Sequence, residues 1–241
     1  MYRFTDIHTH ILAAVDDGAQ DLTQTQQLLQ MAWDHGTTAV FLTPHYRGKY
    51  KLSPAALKEK YQQLLTLMQD ALPDMKIYLG SEIAYEVDTP EYLLAGDLLT
   101  LHDSQYVLLE FGTTALEPRL LSGISETVRC GFIPIIAHAE HCVAIRKKPA
   151  LAAELREMGA FLQLNADSIM GHNGFGTKRL CHRLLKSGLA DFIASDAHDD
   201  KKRPPLLQKC FLRIQKKYGA EYANRLFCEN PQAIVENTII Y

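Results

Sequence analysis

Residues 4–10 read Phe-Thr-Asp-Ile-His-Thr-His, a short β-rich run that closes on two histidines one residue apart. In an extended strand, residues two apart point to the same face, so His8 and His10 can address one ion. Such a pair is weak evidence alone, but the pattern recurs along the chain. Further β-rich runs are expected at 38–43, 76–82, 106–111, 132–138, 161–165 and 191–195. Nearly all end in a residue type that binds metals. The second leads into Thr43-Pro44-His45, the third ends in Gly80-Ser81-Glu82, and the fourth in Leu109-Glu110-Phe111. The fifth ends in Ala137-His138, and the seventh leads into Ser195-Asp196-Ala197-His198.

Helical segments separate these runs. Asp21 is placed to cap a helix over 22–35, with Gly36 as its left-handed stop. Ser53-Pro54 opens the next with a cap and a first-turn proline. Others are expected over 117–130, 149–158, 177–186 and 204–218. Alternating strand and helix implies right-handed crossovers and a mainly parallel sheet. In an open sheet, ligands on the outer strands would lie too far apart to meet, whereas a barrel gathers the carboxyl ends of its strands at one mouth. The expected fold is α/β: a distorted seven-stranded (β/α)7 barrel with a metal site at the C-terminal ends of the strands. No Gly/Ser linker, low-complexity tract or long repeat interrupts it, so residues 1–241 read as a single domain.

Composition narrows the function. An apolar fraction of 47% supports a packed core and excludes global disorder. With 25 basic against 28 acidic residues there is no basic footprint for nucleic acid. The start lacks a secretory pattern, and no apolar stretch approaches the roughly 18 residues of a membrane helix. Five cysteines form an odd set without a C-x-x-C pair, which disfavours a disulfide framework and a Cys-rich zinc site. The expectation is a cytoplasmic protein with no integral membrane segment. Imidazoles and carboxylates without thiolates suit manganese, zinc or iron in a catalytic site.

In this order, the motifs resemble the polymerase and histidinol phosphatase (PHP) superfamily, and within it the CpsB/YwqE-type manganese-dependent bacterial tyrosine phosphatases. The resemblance rests on D-I-H-T-H-I-L with D-D-G at 16–18, T-P-H at 43–45, G-S-E-I at 80–83 and L-L-E-F at 108–111. It continues through I-A-H-A-E at 136–140, A-S-D-A-H at 194–198, R-P-P at 203–205 and E-N-P at 229–231. It implies three divalent ions, manganese first, with zinc, iron or magnesium as alternatives. His8, His10, Glu82 and Asp196 would hold the first, and Glu82 would bridge to a second held by Glu110 and His138. His45 and His198 would hold the third with an aspartate of the D-D-G turn, either Asp16 or Asp17. Asp6 would orient a histidine.

The implied activity is hydrolysis of phosphotyrosine by a metal-activated hydroxide, with Asp196, His198, Glu110 and Arg203 in the catalytic set. Arg47, His141, Arg146 and Arg203 are candidates for substrate phosphate. His141 marks a departure, since the family commonly carries arginine there. Tyr46 and Tyr50 could stack on an aryl ring. The implied partner is a bacterial tyrosine kinase with a Tyr-rich tail that regulates capsular or exopolysaccharide synthesis; self-association stays open. The cysteine-dependent mechanism needs Arg six positions after Cys. Those positions hold Ile136, Lys148, Ser187, Lys216 and Ile234, so it is excluded. Two alternatives remain: a small-molecule phosphoesterase such as a histidinol phosphatase, and a metal-bearing regulatory module without turnover.

Overall fold

The computed structural model describes residues 3–112 and 115–240. β1 (Phe4–Thr9) leads through α1 (Leu22–Asp34) to β2 (Thr37–Leu42), the two-residue β3 (His45–Tyr46) and α2 (Pro54–Ala71). Then follow β4 (Lys76–Leu79), β5 (Glu82–Ala84), α3 (Thr89–Ala95), β6 (Tyr106–Glu110), α4 (Glu117–Arg129) and β7 (Ile133–Ile136). The chain continues through α5 (Val143–Lys147), α6 (Leu151–Glu157), β8 (Phe161–Asn165), α7 (Ala166–Met170), α8 (Phe175–Lys186) and β9 (Phe192–Ala194). It closes with α9 (Gln208–Tyr218), α10 (Ala220–Asn224) and α11 (Asn230–Glu236).

Helix ends follow the expected chemistry. Asp21 Oδ1 accepts from Gln24 N at 2.8 Å, and Gly36 adopts φ 91° just past α1. Thr25, Leu28, Leu29 and Ala32 form one buried stripe of α1, which packs outside β2 and β4 with Leu57, Leu64 and Met68 of α2. Each leucine fully buried there contributes about 1.5–3 kcal/mol. The helix expected over 204–218 begins only at Gln208, since Pro204-Pro205 disfavours the helical region before it.

All named strand pairs are parallel, in an α/β arrangement whose sheet curls. The strand count departs from the seven expected. Among the described residues there are nine strands, in a three-stranded sheet ordered β1-β2-β4 and a six-stranded one ordered β3-β5-β6-β7-β8-β9. One expected run is interrupted, at Gly80-Ser81 between β4 and β5, and a two-residue strand not expected, β3, follows β2 after Thr43-Pro44. Proline has no N–H to give a ladder. Backbone bonds still span the breaks: Gly80 N donates to Leu42 O at 2.9 Å and Glu82 N to Pro44 O at 3.1 Å. Beyond β9, Asp196 N donates to His8 O at 3.0 Å and His10 N to Ala197 O at 2.8 Å.

The enclosed side of the curl is filled by Ile7, Phe41, Tyr106, Leu108, Ile135, Phe192 and Ala194, with Ile234 of α11 beneath. The opposite faces of β6–β9 pack against α4, α6, α8 and α9 through Leu120, Leu155, Leu184 and Phe211. Strand alternation carries the enclosed side from Phe41 to His45, from Leu108 to Glu110 and from Ala194 to Asp196. β1 gains its inward histidine differently. It advances from Asp6 to Thr9 while β2 advances only from Val40 to Leu42, a bulge of the kind that re-aims side chains.

Candidate metal centre

At the carboxyl ends of the strands, His8 and His10 face each other with Nε2 atoms 3.0 Å apart. His10 Nε2 lies 3.4 Å from Glu82 Oε2 and 3.4 Å from Asp196 Oδ1. His8 Nε2 lies 3.5 Å from Glu82 Oε1 and 3.7 Å from Asp196 Oδ1. Glu82 also meets His138 Nε2 at 2.7 Å and His45 Nδ1 at 2.6 Å, and His138 Nε2 is 3.9 Å from Glu110 Oε1. On the other flank, Asp17 Oδ1 lies 3.3 Å from His45 Nε2 and 3.6 Å from His198 Nε2. Three sets of side chains therefore offer converging donor atoms: His8/His10/Glu82, His45/Glu82/Glu110 and His10/Asp17/His45/His198.

The donor atoms fit divalent cations. His198 Nε2 is buried and has no hydrogen-bond partner in the protein, while buried His45 Nδ1 and Glu82 Oε2 face each other at 2.6 Å without a well-directed hydrogen bond. Leaving a buried nitrogen such as His198 Nε2 unpaired costs about 1–3 kcal/mol, and a cation would satisfy it. Nitrogen and carboxylate donors together suit manganese, zinc or iron.

Electrostatics points the same way. Burial opposes charge on His10, but the hydrogen bonds it donates to Asp16 and Glu82 lift it to about 10. Burial likewise opposes charge on His138, and Glu82 lifts it to about 9. Burial would raise Glu82, yet the surrounding histidines hold it well below the usual carboxylate range. Burial and the charge on His10 depress His198 to about 3, which leaves its ring neutral. A site rich in competing charge is what bound cations would reorganise.

The two aspartates of the D-D-G turn separate. Asp16 Oδ2 accepts from His10 Nδ1 at 2.7 Å and from His45 N at 3.0 Å, while Oδ1 accepts from Gly18 N at 3.0 Å. Both oxygens thus hold the protein. Asp17, with its side chain 41% exposed, turns toward His45 and His198. Asp6 holds backbone rather than a ring: Oδ1 accepts from Ser195 N at 3.0 Å and from His8 N at 3.5 Å, and burial pushes its carboxyl up to about 6. It ties the His8 backbone to the segment that leads into Asp196, so its hold on a histidine runs through the main chain and not through the imidazole. Two residues of the cluster sit in strained backbone, His138 at φ 31° and Asp196 at φ 54°. For His138 this matters, because β7 alternation from Ile133 to Ile135 and Ala137 would point it outward.

The candidate phosphate ligands are distributed unevenly. Arg47 Nη1 donates to both oxygens of Glu110 at 3.2 and 3.0 Å, and Nη2 lies 3.8 Å from Asp17. Arg203 Nη1 stands 3.5 Å from Asp196 Oδ2. His141 is one-third exposed, with Nε2 3.3 Å from Ser168 Oγ and its ring 6.0 Å from that of His138. Arg146 is exposed on α5, and among the described residues no ion pair or hydrogen bond ties it to the cluster. Tyr50 stacks near His45, ring centroids 6.3 Å apart, and Lys51 lies 5.5 Å from the Tyr46 ring.

Sequence reasoning missed Gln163 and Asn165. Both are buried on the enclosed face of β8 and bond to His8 and Asp196 respectively. The signal was the alternation in Phe-Leu-Gln-Leu-Asn, where two amides share a face that should be apolar.

Comparison with known proteins gives a consistent set of likenesses. Residues 4–236 match the family model for capsular polysaccharide synthesis, CpsB/CapC. The chain is 32% identical to the tyrosine-protein phosphatase CpsB of Streptococcus pneumoniae, over 98% of this chain and 99% of that one. It is 34% identical to the tyrosine-protein phosphatase YwqE of Bacillus subtilis, over 98% of this chain and 93% of that one. A crystal structure from the work on YwqE and CpsB, described as unique metal-dependent tyrosine phosphatases, superposes with a TM-score of 0.92. That match has 32% identity and covers 98% of this chain and 96% of the other.

Proposed function

Because the chain belongs to the CpsB/CapC family of capsular polysaccharide synthesis, we propose that it is a metal-dependent protein-tyrosine phosphatase. The observation that carries this reading is the cluster of buried histidines and carboxylates whose donor atoms converge in three sets, with His198 Nε2 left without a protein partner. His8, His10, Glu82 and Asp196 would hold one ion, Glu82 with Glu110 and His138 a second, and Asp17, His45 and His198 a third. Asp16 orients His10 and is not itself a ligand. Manganese is the favoured ion. In fold terms, β2 with β3 and β4 with β5 count as two broken staves, which makes a distorted seven-stave barrel of one domain.

Ions bound there supply charge neutralisation for the phosphoryl oxygens and lower the pKa of an attacking water. The chain's own residues do the rest. Arg203 and Arg47, at the mouth beside Asp196 and Glu110, present guanidinium forks to the remaining phosphate oxygens. His141 borders the same space from the 139–141 turn, while exposed Arg146 is a weaker candidate. Tyr46 and Tyr50 flank the entrance and offer faces for an aryl ring. A phenolate leaves more readily than an alkoxide, so the site needs no strong general acid for this substrate class.

The substrate is a phosphotyrosine protein, a bacterial tyrosine kinase with a Tyr-rich tail that tunes capsule or exopolysaccharide synthesis, in the cytoplasm. No helix among the described residues is long and apolar enough to cross a membrane. The test is turnover of phosphotyrosine peptide, phosphoserine peptide and histidinol phosphate by chelator-stripped protein, before and after manganese addition. Phosphotyrosine turnover restored by manganese is the expected result. Histidinol phosphate as the better substrate, or full activity after stripping, overturns the reading.

A further inference from the structure

Beneath the histidines lies a buried amide pair that the reaction chemistry does not require. Gln163 is fully buried and Asn165 nearly so, on the enclosed face of β8 next to Phe161. An apolar residue would fill that space at no desolvation cost, whereas a buried amide is tolerated only when bonded. Here the bonds form a chain whose polarity is set from both ends. At one end, Gln163 Oε1 accepts from the backbone N–H of His138 at 2.8 Å, so that atom must be oxygen. Gln163 Nε2 then donates to Asn165 Oδ1 at 2.8 Å. Asn165 Nδ2 in turn donates to the carboxylate of Asp196 at 2.9 Å, which can only accept. The two ends agree, and no other orientation of either amide satisfies both.

This polarity has a consequence for His8. Its Nδ1 lies 3.1 Å from Gln163 Oε1, an acceptor, so Nδ1 carries the hydrogen and Nε2 is left to face Glu82 and Asp196. The same oxygen steadies the backbone of His138 at its left-handed φ of 31°. Asn165 also donates its own N–H to buried Glu140 Oε1 at 3.0 Å, which fixes the end of β8 against the turn that carries His138.

We propose that Gln163 and Asn165 are positioning residues, a one-way hydrogen-bond relay that fixes the His8 tautomer, the His138 backbone and the Asp196 carboxylate together, ready for a divalent cation. The proposal rests on the metal-centre reading given above. It assigns the relay an effect on ion affinity rather than on substrate contact, and it separates the two residues by what each holds.

The test uses the full chain and manganese itself. Equilibrium dialysis gives ion stoichiometry and affinity, and ¹⁵N-histidine spectra of the zinc-loaded protein report which His8 nitrogen bears hydrogen. Gln163→Met removes both the acceptor for His8 and the donor to Asn165. It should weaken the tightest manganese site by about 10–100-fold and relax the His8 tautomer. Asn165→Asp, nearly isosteric, still accepts from Gln163 but sets a second carboxylate against Asp196. It should weaken manganese by a similar factor while leaving the His8 tautomer as in wild type. If Gln163→Met fails to fold, Asn165→Asp decides. Manganese affinity within about threefold of wild type in the folded variants overturns the relay, even if phosphotyrosine turnover stands. A wild-type chain that binds no manganese instead overturns the metal-centre reading, and the relay with it.

Discussion

Gly18→Ala tests how the D-D-G turn is built, at a residue with no chemistry of its own. A Cβ at Gly18 would sit 1.7 Å from the carbonyl oxygen of His10 and 2.7 Å from His10 Cβ. Ordinary contact begins at 3.4 Å, so turn and strand end must part until the present gap has about doubled. The obstacle is backbone, which cannot swing aside. Three bonds lie across that gap: Ala19 N to His10 O at 2.9 Å, His10 Nδ1 to Asp16 at 2.7 Å, and His45 N to Asp16 at 3.0 Å. None survives a displacement of that size. Asp17 moves with them, away from His45 and His198. A misplacement of about 1 Å can cost about 100-fold in rate, so kcat/KM for a phosphotyrosine peptide should fall at least that far. Manganese content should drop by one ion as the Asp17 side opens. Overpacking should cost about 1–3 kcal/mol, a fall in Tm of roughly 2–12 °C for a chain of this size. Gly176→Ala is the control, since its Cβ meets nothing within 4 Å. A Gly18→Ala protein with wild-type kcat/KM and full manganese content would refute the reasoning.

Other expectations follow from the same geometry. Activity should survive thiol alkylation and vanish on chelation, because the Cys142, Cys181, Cys210 and Cys228 thiols are all pushed up by burial; inactivation by alkylation of folded protein counts against the metal mechanism. In the metal-free chain, His10 and His138 are raised to about 10 and about 9, so both hold protons at neutral pH. Ion binding must expel them, and affinity should climb with pH until those values are passed. Calorimetry in buffers of different ionisation enthalpy checks this, and buffer-independent heats would contradict it. Asp191 is pushed up to about 6 by burial, which outweighs the Arg156 guanidinium at 2.8 Å. Its folded pKa exceeds its unfolded one, so the native state binds the extra proton and loses stability as pH rises from about 4 to about 6. Relative to Asp191→Asn, wild type should lose up to about 3 kcal/mol across that window in denaturant melts, and a flat difference would refute the burial argument.

What the sequence determined by itself was the kind of fold and most of the cluster, for one physical reason. Strand alternation has a period of two, and alternating strand and helix puts every strand's carboxyl end on one side. From these, His45, Glu82, Glu110 and Asp196 could be placed on one face before any distance was known. Residue types then limited the chemistry, and the order of the motifs pointed to the family. Other features depended on non-local geometry. His138 has the wrong parity for its strand and turns inward only through a left-handed backbone. His8 turns inward through a bulge that appears only when β1 is laid beside β2. Spacing could not tell Asp16 from Asp17; their different partners follow from the turn folding onto the His10 carbonyl, where Gly18 leaves room. Neutral amides such as Gln163 and Asn165 carry no ligand signature, and their role exists only in the partners that the closing sheet brings to them. The break at Gly80-Ser81 likewise turned one expected strand into a pair, and β3 formed beyond the run expected to end at Thr43. Local alternation is written in the chain, but register, bulges and left-handed turns are settled by which backbones meet when the sheet curls.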